Sequence, residues 1–295
     1  MSTVEVTGTR QGNAAATAAA LDLRARPRDD VLRHVEQALH VRLDPATEVR
    51  KRRSIGAATD RGTWVRIEMR RVEKMAGQGF NGPETAGWLT GIAKPAWHTS
   101  LAWAEPETGL MWRADETDLV TAAPIRAGGV LTADPHLPDT WWATLSASLD
   151  ALAVAETTRV ATPHTALITQ TRVDAEVRAV FGPDLDTTIE RWVPAHADFA
   201  WANLTGPDCW ILDWEDWGLA PRGLDAAMLW AASLAVPGLA EQVHQVRRAD
   251  LDSRDGQVMR LFFAAGIVGA PAGYSGSQLD PARAAAERLL TTLRR

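Results

Sequence analysis

The chain of 295 residues holds one cysteine, one tyrosine, three lysines and no long apolar run, and each scarcity removes an explanation. A lone cysteine cannot form an intramolecular disulfide, so the fold rests on its own core. Cys209 lies in the apolar run Cys209-Trp210-Ile211-Leu212 with no basic neighbour, which marks a buried structural thiol rather than a nucleophile and fits the cytoplasm. No stretch approaches the ~20 apolar residues that cross a bilayer, so no membrane partner is expected. Ala14 to Ala20 is broken by Thr17 and follows no cluster of positive charge, so residues 1–27 read as a disordered tail rather than a secretory leader. A formal net charge of −6 argues against a nucleic-acid partner, because general nucleic-acid binders carry clustered positive charge. That field suits a cationic small substrate better.

What the sequence has is ordinary globular material: 46% hydrophobic and 23% charged residues, in a length that fits two lobes. Asp29 and Asp30 can cap a helix with Leu32, Val35 and Leu39 on one face. Val65, Ile67 and Met69 alternate with Arg66 and Glu68, the period of a half-buried strand, and Asp60-Arg61-Gly62 turns the chain into it. A short helix over Pro83 to Ile92 is expected next, then strands at Leu101 to Trp103, Gly109 to Arg113 and Leu119 to Ala123. Residues 124–138, with Gly128-Gly129 and three prolines, read as a linker. Helices are expected from Asp139 with Trp142, Leu145, Leu149 and Leu152 as a core stripe, at Thr171 to Val180, at Gly223 to Leu234, and at Pro281 to Arg294 with Asp280 as cap. The fold class is α+β: a β-rich lobe over 28–123 and a larger, mainly helical lobe over 139–295.

The chemistry concentrates in His196-Ala197-Asp198-Phe199-Ala200-Trp201-Ala202-Asn203, followed by the apolar Ile211-Leu212 that delivers Asp213. Phosphoryl transfer of the kinase type needs one carboxylate by the attacking hydroxyl, an amide oxygen five residues on, and a second carboxylate from a neighbouring strand, the last two meeting a metal. Asp198 is the candidate for the hydroxyl. Asn203 and Asp213 are candidates for Mg²⁺, a hard cation that takes oxygen ligands. Taken singly, an aspartate that caps a turn and a histidine that satisfies a carbonyl would explain these residues; the joint spacing of four favours the kinase site.

This stretch resembles the aminoglycoside phosphotransferase and choline kinase-like family, which shares the two-lobed protein kinase fold. The family pattern, H-G-D-x-x-x-x-N followed by I-D-W/F, is met at His196, Asp198, Asn203, Asp213 and Trp214, and Leu219, Pro221 and Asp225 are similar to its continuation. The likeness covers about thirty residues well. It implies that His196 supports the loop, that a buried Asp225 helps hold it, and that the cofactors are Mg²⁺ and ATP or GTP. Glu215 stands beside the metal as a supporting or substrate-facing group, and Asp216 reads as part of a solvated turn.

Departures from the family lie upstream. Gly56 to Gly62 is the one segment that fits a phosphate-covering loop, yet it has no G-x-G-x-x-G and reads equally well as a hairpin turn. None of the three lysines, Lys51, Lys74 and Lys94, falls in the strand from Trp64 to Met69, where kinase folds place a phosphate-holding lysine paired with a helix glutamate. Arg66, with Glu84 as partner, is the nearest replacement, since guanidinium also binds phosphate. Trp64 shares its face and either stacks on the base or alters nucleotide binding. Trp201 and Trp217 are either core residues or a wall for a cationic or aromatic substrate. The expected activity is transfer of a γ-phosphate to a hydroxyl of a small molecule, with an antibiotic such as an aminoglycoside as first candidate. The alternatives are a catalytically silent kinase-like binding protein and a kinase of an amino alcohol or sugar.

Overall fold

A computed structural model describes residues 22–25, 27–72, 80–163, 166–271 and 276–294. The chain divides into two compact units, one of residues 1–80 with 96–120 and one of 81–95 with 121–295. The expected tail over 1–27 lies outside the described residues apart from 22–25 and 27. Within that exception Leu23 is buried, and its N–H donates to the carbonyl of Arg52 at 3.0 Å.

The smaller unit is helix α1 (Asp29–Leu39) on a sheet of β1 (Val49–Arg50), β2 (Ser54–Ala58), β3 (Thr63–Arg71), β4 (Trp97–Glu105) and β5 (Leu110–Asp118), in the antiparallel order β1-β2-β3-β5-β4. Val31, Val35 and Leu39 recur at four-residue spacing and form the buried stripe of α1, against Ile55, Val65, Ile67, Met69, Leu110, Trp112 and Ala114. Asp29 and Asp30 do not cap this helix. Arg28 occupies the cap position, and the two carboxylates sit in the first turn, where they favour the positive end of the helix dipole.

Period-two alternation sends the other side chains of β3 to the opposite face. There the register sets Glu68 against Arg113 and Arg66 against Asp115, opposite charges on neighbouring strands. Arg113 is held by both oxygens of Asp115, at 2.8 and 2.7 Å, and Trp97 donates its indole N–H to the same carboxylate at 3.0 Å. Gly56, expected in a phosphate-covering loop, instead lies inside β2, opposite Arg66. The turn is Thr59 to Gly62, closed by Gly62 at φ 73°.

The larger unit contains α2 (Gly82–Ala86), shorter than the sequence implies, and two small antiparallel ribbons: β6 (Ala123–Pro124) with β8 (Thr205–Gly206), and β7 (Trp192–Ala195) with β9 (Gly218–Pro221). Its helices are α3 (Asp139–Ala153), α4 (Gln170–Phe181), α5 (Leu224–Ala232), α6 (Pro237–Val246), α7 (Arg248–Leu251), α8 (Arg254–Val268) and α9 (Leu279–Leu293). Asp139 and Asp280 open the first turns of α3 and α9 rather than capping them. Helix α8 packs against α4, α5 and α9, and α5 is buried on nearly every face.

Three expectations change here. Residues 81–95 belong to the larger unit, because the backbone of Gly82 lies directly on the turn after Asp213: a Cβ there would come within 2.5 Å of the carbonyls of Trp214 and Glu215. Residues 124–138 are not a separate linker; Ile125 donates to the carbonyl of Leu204 at 2.8 Å and Leu131 enters the core of the larger unit. The strand expected at 119–123 is only the short β6. Among the described residues no helix is long and apolar enough to cross a membrane.

Trp64 lies across Gly56, and a Cβ on Gly56 would overlap its indole. Gly56→Ala is therefore expected to cost about 1–3 kcal/mol by displacing the ring. In a Trp64→Ala background the same change should be neutral or favourable, since alanine is preferred to glycine in a strand. A denaturant double-mutant cycle reads this directly, and equal cost in both backgrounds would show that the ring is not what excludes a side chain.

Candidate active site

Strand β7 pairs with β9 from Trp192↔Pro221 to Ala195↔Gly218, so the chain leaves the ribbon at His196. The next two backbone N–H groups, of His196 and Ala197, donate to the two oxygens of Asp225 at 2.7 and 2.9 Å. Asp225 stands in the first turn of α5 and is buried. Burial pushes its carboxyl up from the usual range, opposed by His196 and by the two N–H donors.

His196 is fully buried. Its Nδ1 accepts the N–H of Asp198 at 3.3 Å, which leaves Nε2 to donate to the carbonyl of Leu212 at 2.9 Å. Trp214 and Phe199 meet the imidazole edge-on at 4.7 and 5.8 Å. One imidazole thus ties the loop that carries Asp198 to the residue before Asp213.

Asp198 is partly exposed, and its Oδ2 accepts the amide N–H of Asn203 at 2.8 Å; the same amide donates to the carbonyl of Asp198 at 2.8 Å. With Nδ2 so engaged, Oδ1 of Asn203 is the end of the amide left as an acceptor. A 3₁₀ turn over Trp201–Asn203 makes this five-residue closure. The N–H of Leu212 donates to the carbonyl of Asn203 at 2.8 Å, and Leu204 bridges Ile211. Asp213 is thereby delivered by a single bridge rather than by the strand expected, with φ 65°. The three residues Asp198, Asn203 and Asp213 are linked by backbone and side-chain bonds into one constellation. Among the described residues no three His, Cys, Asp or Glu side chains gather as a metal site; the donor pair here is one carboxylate and one amide, both hard oxygen ligands.

Of the two readings open for Trp201 and Trp217, core or substrate wall, the structure gives core. Trp201 is 3% exposed, stacks on Trp141 and donates to the hydroxyl of Ser233 at 3.1 Å. Trp217, also 3% exposed, donates to the carbonyl of Gly82 at 3.0 Å. Both indole N–H groups are satisfied inside, which lets the rings bury. Asp216 is likewise buried rather than solvated, and accepts the hydroxyl of Thr162 at 2.5 Å. Glu215 is half-buried, its carbonyl taken by Arg159 at 3.1 Å. Burial pushes the Cys209 thiol up to about 12, which leaves it unreactive. In the smaller unit Arg66 stands 3.6 Å from Glu68 in an ion pair; Glu84 is half-buried on α2 of the larger unit.

No protein-family model matches the chain and no curated protein is similar to it, but solved structures are. An amicoumacin kinase in complex with AMP-PNP, Ca²⁺ and Ami superposes over 90% of this chain and 95% of its own, with TM-score 0.55 and 9% identity. The GDP complex of an aminoglycoside 2′-phosphotransferase gives 91% and 96%, TM-score 0.53 and 13% identity. A candidate fructosamine-3-kinase from Thermobifida fusca gives 88% and 100%, TM-score 0.53 and 15% identity. The chain has the kinase-like fold. Small-molecule kinases share it with this chain at identities that speak for fold alone.

In this kinase-like fold one position of the loop departs from the glycine of the family pattern. Ala197 is held at φ 70°, a left-handed conformation that costs a non-glycine residue ~1–2 kcal/mol. Ala197→Gly should relieve this, less the ~0.5–1 kcal/mol that glycine adds to the unfolded chain's freedom, and so stabilise by up to about 1.5 kcal/mol. Ala197→Val should destabilise. Thermal unfolding of both variants checks the sign, and a lower Tm for Ala197→Gly would contradict it.

Proposed function

We propose that this protein is a small-molecule kinase that moves the γ-phosphate of ATP or GTP to a hydroxyl group. The observation that carries the reading is the closure of Asn203 onto Asp198, with Asp213 joined to the same loop through Leu212. Asp198 orients the acceptor hydroxyl and takes its proton late in transfer, when positioning matters more than basicity. The amide of Asn203 keeps the carboxylate in place. Asn203 and Asp213 supply oxygen donors that fit Mg²⁺, which when bound would neutralise phosphate charge. His196 and Asp225 support the loop, and Glu215 lies beside it. An antibiotic is the first acceptor class, supported by the amicoumacin and aminoglycoside kinases of the same fold and by the net charge of −6, which suits a cation.

Asp198→Ala should lower turnover by about 10²–10⁴-fold while nucleotide affinity holds. Asp213→Ala should remove the Mg²⁺-dependent part of nucleotide binding, and Asn203→Ala should weaken it less. Calorimetry with and without Mg²⁺, beside a phosphate-transfer assay on a panel of hydroxylated antibiotics, amino alcohols and sugars, separates these effects. Wild-type turnover by Asp198→Ala would refute its role.

A second reading, a silent kinase-like binding protein, is favoured by one feature of the smaller unit. Strand β3 has no lysine, and its candidate substitute Arg66 shares a face with Trp64, which already covers Gly56. If Arg66 holds phosphate, Arg66→Ala should cut turnover by ~10²-fold and Arg66→Lys should retain part of it. Under the second reading wild type and both variants bind nucleotide equally weakly. No binding by wild type at millimolar nucleotide and Mg²⁺ would overturn the kinase reading.

A further inference from the structure

Arg159 belongs to no motif that the sequence displays. It is 7% exposed, and its guanidinium reaches three acceptors: Nε donates to the carbonyl of Trp217 at 3.0 Å, Nη2 to that of Glu215 at 3.1 Å, and Nη1 to Oδ1 of Asn81 at 2.7 Å. Its Cζ lies 5.5 Å from the centre of the Trp217 ring. The backbone beneath it is fixed, because the N–H of Leu219 donates to the carbonyl of Arg159 at 2.8 Å and that of Ala161 returns to Leu219 at 2.9 Å.

These contacts join two segments distant in sequence. One is the turn that follows Asp213. The other is Asn81 with α2, which carries Glu84. They also touch directly, at Gly82 against the Trp214 and Glu215 carbonyls, and through the Trp217 indole, which donates to Gly82 and to the Thr85 hydroxyl at 3.2 Å. Arginine suits the junction because its rigid planar fork presents donors in several directions at once, which a lysine point charge does not.

We infer that Arg159 is a positioning residue that binds α2 and the turn after Asp213 into one body, so that the settings of Asp213 and Glu84 are fixed together. Its consequence for metal binding rests on the kinase reading given above. Through its described contacts Arg159 acts on the carbonyls of Glu215 and Trp217 and on the amide of Asn81. Loss of the fork frees the turn, and Asp213 then samples orientations in which its carboxylate meets a cation less often.

The test has two readouts on the full chain. Hydrogen exchange by mass spectrometry should show Arg159→Gln raising exchange in residues 81–87 and 213–217 together, with Arg159→Lys intermediate and the helices α4, α8 and α9 unchanged. Calorimetry should show the Mg²⁺-dependent gain in ATP affinity falling by about 10-fold or more in Arg159→Gln, with metal-free affinity unchanged. Should Arg159→Gln fail to fold, Asn81→Ala, which removes one contact at the surface, carries both measurements with smaller effects of the same sign. Exchange rising in one segment alone, in neither, or throughout the unit would overturn the inference, as would an unchanged Mg²⁺ dependence in a folded variant. Wild type that binds no nucleotide would overturn the kinase reading instead, and the exchange pattern then decides the coupling by itself.

Discussion

The site depends on one buried carboxylate. Asp225 lies in the interior, where an ionised group is costly, and two backbone N–H groups of a sharply turned loop offset that cost. The exchange works both ways. Without the carboxylate, the N–H groups of His196 and Ala197 would lose these acceptors, and Ala197 would lose a bond that holds its left-handed conformation. Because α5 is buried on nearly every face, Asp225 is anchored by the core itself, and rigidity passes from the core to the loop through two hydrogen bonds. Everything beyond follows in order: His196 reaches Leu212, Asn203 closes on Asp198, and Asp213 is placed by the backbone just before it. The anchor comes well after the loop it holds, from the helix that the chain forms next.

How much of this is legible depends on distance along the chain. The spacing of His196, Asp198, Asn203 and Asp213 is local, and local spacing carries geometric meaning, so the constellation can be read. The alternation of Val65, Ile67 and Met69 marks a strand for the same reason, and the four-residue repeat of Val35 and Leu39 marks the helix α1. Helices α6, α7 and α8 are not evident in the same way. Ser253 caps α8 through the N–H of Gly256, which is a readable signal, but Gly256 and Gly266 inside the helix blur its pattern. Gly256 is there because α8 passes close to the backbone of Asp250 and Leu251, a reason that the apolar period does not reveal.

The same logic explains the corrections around Asp213. Asp216 reads as a surface residue, and Trp201 and Trp217 stay open between core and pocket wall, because all three neighbour candidate site residues in sequence. Their partners are Thr162, Ser233 and Gly82, far away along the chain, and those partners bury them. Arg159 and Gly82 show the converse. Neither belongs to a motif, and each matters through what folding brings against it. Gly82 has to be glycine because the carbonyls of Trp214 and Glu215 occupy the place of its side chain, and those residues enter the chain long after it.

Several tryptophans serve the same need to satisfy backbone in irregular segments. The chain has thirteen tryptophans against one tyrosine. An indole is a large apolar plate with a single donor and no acceptor, so when buried it can end on a carbonyl or carboxylate and ask for nothing in return. Trp141 donates to the carbonyl of Thr205 at 2.7 Å, Trp214 to that of Ile211 at 2.8 Å and Trp217 to that of Gly82, three carbonyls around the candidate site that lie in no long helix or strand. A tyrosine hydroxyl would need an acceptor of its own and also invite a donor, and a phenylalanine would take the donor away from each carbonyl. Trp142 makes the contrast: its indole N–H is buried with no partner among the described residues, and it packs edge-on against Trp141 and Trp201 purely as apolar volume. Irregular backbone is what a site of convergent loops requires, and it leaves carbonyls stranded in the interior. Here indole donors and the Arg159 guanidinium take them up, which is how a site with so little regular structure around it keeps a defined geometry.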